Sequence, residues 1–361
     1  MTTDIKSVAL PNGIELPYVE QGDPSGVPVL FVHGYTDSWR SFECVLPHLP
    51  RSIRAFAVTQ RGHGDADRPP AGYHARDFAA DLAAFMDALG LARGVVAGHS
   101  MGGTVAQRFA LDHPERTLGL VLIGAFADPR GSPDVVELWT SAVSKLTDPV
   151  DPGFVLEFQR STLARPIPPT ILDTAVQESL KVPARVWRAA LEALLESNLL
   201  SEIGAIGAPT LLVWGEQDTI ASRSDQEALA KAIAHARLAV YGGTGHAVHW
   251  EEHERFASDV TRFVESLGAR RAAGERCTQA TAQEGGMERP SSSMDRRGFY
   301  GGDPAAARPA PDTGNDGRRW QADGFRPAPV MDSVRRAGDR EAGRVGTSLP
   351  PSGTPERSER G

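Results

Sequence analysis

Between residues 94 and 108 the chain reads GVVAGHSMGGTVAQR. The apolar run Val95-Val96-Ala97 meets Gly98-His99-Ser100-Met101-Gly102 and passes directly into TVAQRFALDH, whose spacing and composition are those of a helix. A G-x-S-x-G between a strand and a helix holds its serine in a strained turn at the top of a sheet, with the hydroxyl projecting away from the core. Gly98 and Gly102 let strand and helix approach more closely than side chains permit, and Gly103 gives further room. The following helix aims its free N–H groups at Ser100, where they favour developing negative charge.

The rest of the body repeats this rhythm. Ser7 to Leu10 and Ile14 to Glu20 flank Pro11-Asn12-Gly13, a hairpin signal. Pro28 to Val32, Ile53 to Val58, Leu118 to Ile123, Thr210 to Trp214 and Arg237 to Tyr241 read as further strands, the first three as strands buried on both faces. Helices are expected near Ser41 to Leu49, over Ala75 to Leu89, over Ser224 to His235 and over Trp250 to Leu267. The alternation predicts a mainly parallel eight-stranded sheet with right-handed crossovers and helices on both faces, its active site at the carboxyl ends of the strands. Residues 128–200 break the pattern with eight prolines and helical stretches, notably Val135 to Leu146 and Arg185 to Leu199. They read as a helical cap after the sixth strand that shelters the site from water. The expected divisions are 1–127 and 201–267 for the two parts of the core and 128–200 for the cap.

Residues 268–361 differ in kind: they carry 15 Gly and 9 Pro, no Ile, no Lys, and four Leu or Val residues in all. Such a composition buries too little apolar surface to offset ordering entropy, so a disordered tail is expected, either a linker or the product of GC-rich DNA read outside its natural frame. Its 16 Arg and 13 acids leave the body near −11 out of a total of −8. So acidic a body argues against nucleic acid and anionic membrane partners. Two cysteines, Cys44 and Cys277, make no disulfide framework, and the first residues lack a signal pattern, so a cytoplasmic setting is expected.

A serine hydroxyl becomes a useful nucleophile when a base takes its proton, and that base is usually a histidine steered by a carboxylate. Asp218, in Gly215-Glu216-Gln217-Asp218, and His246, in Gly242-Gly243-Thr244-Gly245-His246, each follow a late strand, giving the order Ser100, Asp218, His246. Asp128, after the sixth strand, is the runner-up for the acid, and Glu216 a less favoured one. With the His33-Gly34 pair after the third strand, GHSMGG, GEQD and GTGH in this order, residues 8–267 resemble the α/β-hydrolase superfamily, in particular its capped esterase-like members. The resemblance implies an oxyanion hole from the backbone N–H groups of Tyr35 and Met101. Candidates to contact substrate are Gly34, Tyr35, His99, Trp139 and His249, although His99 should pack down into the turn and His249 lies at the entry to the last helix. Arg61-Gly62-His63-Gly64 resembles the family's R-G-x-G turn, but Thr59 stands where the family commonly has an aspartate, which leaves the ion pairing of Arg61 open.

A serine rather than an aspartate at position 100 points to acyl transfer to water on a small or medium ester or lactone through an acyl-enzyme. No metal or organic cofactor is implied, since neither H-E-x-x-H nor G-x-x-x-x-G-K occurs. The same triad also serves C–C bond hydrolysis of a diketone-like acid, for which Arg160, Arg165, Arg185 or Arg188 would bind the carboxylate, as well as perhydrolysis and ligand-receptor roles.

Overall fold

The computed structural model describes residues 4–284, with side chains to residue 268. β1 (Ile5–Ala9) and β2 (Glu15–Gln21) form the expected antiparallel hairpin, in register from Ile5 opposite Val19 to Ala9 opposite Glu15. Gly13 takes φ +80° in its turn, while Asn12 Oδ1 accepts the Ile14 N–H. Next come β3 (Val27–Val32), β4 (Ile53–Val58), α1 (Ala75–Ala88), β5 (Gly94–His99), α2 (Met101–Asp112) and β6 (Thr117–Ile123). After the insertion follow β7 (Thr210–Gly215), α7 (Arg223–Ala232), β8 (Ala236–Tyr241), α8 (Val248–Glu251) and α9 (His253–Glu284).

The eight strands lie in the order β1-β2-β4-β3-β5-β6-β7-β8. From β4 to β8 all neighbours are parallel, and β2 joins β4 antiparallel. Successive side chains of the central strands alternate between two cores. Leu30, Val32, Val96, Leu120 and Leu122 face Phe85, Val105 and Phe109, whereas Val29, Phe31, Val95, Val121 and Ile123 face Phe42, Val260 and Phe263. This accounts for the continuous apolar runs: both faces are covered, so neither register position is polar.

Between β6 and β7 the chain leaves the sheet and builds α3 (Pro133–Glu137), α4 (Pro152–Ser161), α5 (Pro169–Leu180) and α6 (Ala184–Glu196). The segment expected as one helix over Val135 to Leu146 is instead α3 followed by a wide turn at Leu138–Ala142 and a tight one at Val143–Lys145. Thr140 and Ser141 hydroxyls bond the Val136 and Glu137 carbonyls, a local competition that loosens a regular helix. At the other end, α9 continues past Leu267, where composition places the start of the tail. Its extension, ARRAAGERCTQATAQE, is rich in Ala, Arg, Glu and Gln, which favour helix. The rest of the expected disordered segment falls outside the described residues. Among the described residues no helix is long and apolar enough to cross a membrane.

Candidate active site

Tyr35, Ser100, Asp218 and His246 all follow carboxyl ends of strands, after β3, β5, β7 and β8 respectively. Ser100 takes φ 53° and ψ −116°, and Thr36, in the loop after β3, takes φ 64°. Non-glycine residues hold such angles when their surroundings over-determine them. Around Ser100 that constraint is steric: a Cβ on Gly98 would stand 2.1 Å from the Gly102 carbonyl oxygen, and one on Gly102 would stand 2.3 Å from that of Val32. Substitution of either glycine would therefore drive strand and helix apart.

His246 Nδ1 lies 2.8 Å from Asp218 Oδ2. The other carboxylate oxygen, Oδ1, accepts the backbone N–H groups of Ile220 and Ala221, each at 2.9 Å. Both side chains are almost wholly out of water. The loop bearing His246 is fixed from behind by Glu251, whose Oε1 accepts the N–H groups of Gly245 and of Ala164 in the cap.

Three histidine rings cluster here with tilted planes, His99 lying 4.8 Å from His246 and 4.5 Å from His249 between ring centres. Burial, reinforced by His249 and then His246, holds the His99 pKa well below the usual imidazole range. Burial likewise pushes His249 down to about 3. Both are therefore neutral framework. Of the three rings, His246 is the one with a carboxylate partner.

Ser100 and His246 open on a cavity walled by Phe126, Leu138, Phe158, Leu191, Leu194 and Ile220. Among the described residues no hydrogen bond joins Ser100 Oγ to the ring, a link that in empty sites often tightens when ligand arrives. The N–H groups of Tyr35 and Met101 donate to no backbone carbonyl among the described residues. Met101 is the first residue of α2, so its N–H lies outside the helical ladder.

The expected substrate contacts divide. Tyr35 and His99 line the cavity, whereas Gly34, Trp139 and His249 do not. Gly34 lies beneath His99: a Cβ there would come within 2.7 Å of Nδ1. In place of Trp139, its neighbour Leu138 lines the cavity, both residues lying in the wide turn after α3. His249 is fully buried, with Nε2 3.0 Å from Ser41 Oγ, because the short α8 turns it inward behind the site. Asp128 is drawn away from the site as an N-cap, its oxygens accepting from Arg130 N and Asn198 Nδ2. Arg61 has a partner after all: Asp81 of α1 takes its Nε at 2.6 Å and Nη2 at 2.5 Å.

Three consecutive residues after β3 each reach a different cap helix. Tyr35 donates its hydroxyl to the Trp187 carbonyl of α6 at 2.5 Å, Thr36 Oγ1 meets Ser179 Oγ of α5 at 3.0 Å, and Asp37 Oδ1 accepts from Gln159 Nε2 of α4 at 3.1 Å. Sequence reasoning did not mark Asp37, Gln159 or Glu251, since nothing local flags a pairing across more than eighty residues. Among the described residues the one grouping of metal-ligand types, His48, His253 and Glu254, shares no residue with the cavity.

Residues 27–253 match the sequence model of the alpha/beta hydrolase fold family. The chain belongs to the α/β-hydrolase family. It is 27% identical over 256 residues to the AB hydrolase superfamily protein YisY of Bacillus subtilis, covering 67% of this chain and 92% of that one. It is 28% identical over 256 residues to 2-hydroxymuconate semialdehyde hydrolase of Pseudomonas sp. strain CF600, covering 68% and 89%. A malate-bound thermophilic esterase from Thermogutta terrifontis superposes with a TM-score of 0.65 at 26% identity, over 73% of this chain and 99% of that one. This α/β hydrolase thus shares family with proteins named for different bonds, and its own cavity must supply the finer argument.

Proposed function

We propose that this α/β hydrolase cleaves small or medium uncharged carboxylic esters or lactones through an acyl-enzyme. Ser100 attacks the carbonyl carbon while His246 Nε2 takes its proton. Asp218 holds Nδ1–H and stabilises the imidazolium, and the Tyr35 and Met101 N–H groups receive the carbonyl oxygen as it becomes an oxyanion. The ring then passes its proton to the leaving alcohol. Water enters by the same route, and its attack frees the acid and Ser100.

The observation carrying this reading is the carboxylate-paired His246 sharing a cavity with a strained Ser100. The absence of cations from that cavity weighs against C–C cleavage of an acidic substrate. Arg160 pairs with Glu157, Arg165 with Glu251 and Glu252, Arg185 bonds the Pro69 and Arg68 carbonyls, and Arg188 bonds the Leu146 carbonyl. Among the described residues no Lys or Arg lines the cavity. A fluorophosphonate should label the protein once, at Ser100, with loss of ester hydrolysis; Ser100→Ala should neither label nor turn over while melting as a folded protein. Labelling elsewhere, or hydrolysis surviving in Ser100→Ala, would overturn the assignment.

A further inference from the structure

Asp37 lines the cavity with Ser100 and His246, yet the acyl-transfer steps do not use it. It is 4% exposed. Its Oδ1 accepts from Gln159 Nε2 and its Oδ2 from Ser41 Oγ, each at 3.1 Å. A carboxylate offers about four acceptor positions, so part of its capacity is unfilled. Among the described residues no Lys or Arg pairs with it, and Arg40, three residues on, is held by Glu43 and Glu178. An acid kept out of water with no cation is costly unless something completes it. The rest of the wall is mainly apolar, Asp134 being the other acid in it and hydrogen-bonded to Thr219.

We propose that Asp37 is a specificity-determining residue, accepting a hydrogen bond from a hydroxyl or ammonium group carried on the substrate's acyl or alcohol chain and turning away substrates with a carboxylate there. The proposal rests on the serine-hydrolase reading and narrows it to esters with a donor group beyond the scissile bond. The chemistry is that of a buried acceptor: a donor-bearing ligand fills it, a methyl-ended one leaves it unsatisfied, and an anion is repelled. Desolvation raises the Asp37 pKa to about 7, so the carboxylate that accepts from a donor and repels an anion predominates above neutrality, and the panel is run at about pH 8.

The test is a pH-stat panel of methyl esters of ω-methyl, ω-hydroxy, ω-amino and ω-carboxy acids of graded length, with the matching alcohol-side acetates. At the best-fitting length the wild type should favour the hydroxy or amino ester over its methyl isostere by about tenfold or more in kcat/KM, and should disfavour the carboxy ester. Asp37→Asn should lose the ammonium preference and gain on the carboxy ester relative to the methyl-ended one; Asp37→Leu should abolish both preferences. Asp134→Asn should leave the ratios as in the wild type. Were Asp37 only a tie to the cap, its variants would slow every ester alike with the ratios between esters unchanged, and unchanged ratios would overturn the proposal, as would ratios that move in Asp134→Asn instead. Turnover of esters without selectivity refutes this inference alone. Turnover of none refutes the acyl-transfer reading, and this one with it.

Discussion

Replacing Asp218 by asparagine tests the site more sharply than deleting it, because the two carboxylate oxygens have different duties. Oδ1 accepts two backbone N–H groups, and Oδ2 faces His246 Nδ1. An asparagine can present its oxygen to one side only. Turning its NH₂ toward Ile220 and Ala221 would set donor against donor and leave two N–H groups unsatisfied, at about 1–3 kcal/mol each. The amide therefore keeps its oxygen there and points its NH₂ at His246, which must then accept at Nδ1 and carry its proton on Nε2, the nitrogen that has to take the Ser100 proton. Recovering the working tautomer costs about 2–6 kcal/mol, with a midpoint near 4 kcal/mol, so kcat should fall by about a thousandfold. The assay is steady-state hydrolysis of a p-nitrophenyl ester, with thermal melting to verify the fold. Asp128→Asn, at an N-cap that does not line the cavity, should leave kcat close to that of the wild type. A folded Asp218→Asn that loses less than tenfold would refute the tautomer argument and the acid assignment together.

Asp37 also gives the fold a pH dependence. Its pKa lies near 7 in the native chain against 3.8 ordinarily, so the native state keeps a proton that the unfolded chain releases. Its contribution to stability is complete below about pH 4 and is lost as pH rises toward 7, by up to about 4 kcal/mol. Asp37→Asn should therefore gain on the wild type in urea unfolding at pH 8 relative to pH 4, and an equal difference at the two pH values would count against a buried, unpaired acid. Gly102→Ala, whose Cβ would stand 2.3 Å from the Val32 carbonyl oxygen, should cost about 3 kcal/mol in the same measurement, whereas Gly131→Ala, with no atom within 4 Å, should cost little.

The sheet was legible because strands covered on both faces must be apolar at consecutive positions, and Val29 to Val32 and Leu120 to Ile123 are. Ser100 and Asp218 stood out for a related reason: each follows such a strand, and Gly98, Gly102 and Gly215 mark where backbones come too close for a Cβ. His246 follows the edge strand β8 and was marked by its place after Gly242-Gly243-Thr244-Gly245. What stayed hidden depends on pairings between distant segments. Arg61 finds Asp81 on a helix, not an aspartate in its own turn. Whether a histidine faces a cavity or a core cannot be read from its neighbours in the chain, so His249 and Trp139 pointed elsewhere than expected. The cap was the least readable part, since its shape follows from contacts with the core more than from its own periodicity.

The loop that supplies the Tyr35 amide is sewn to α4, α5 and α6 by three successive side chains. In the mechanism proposed above that amide receives the oxyanion, so lifting the lid would tug on its receptor, and admission of a ligand would be mechanically joined to readiness to react. Shearing the lid away to make a more permissive catalyst should yield a core that is open but idle, because half of its anion cradle would have lost its guy-ropes.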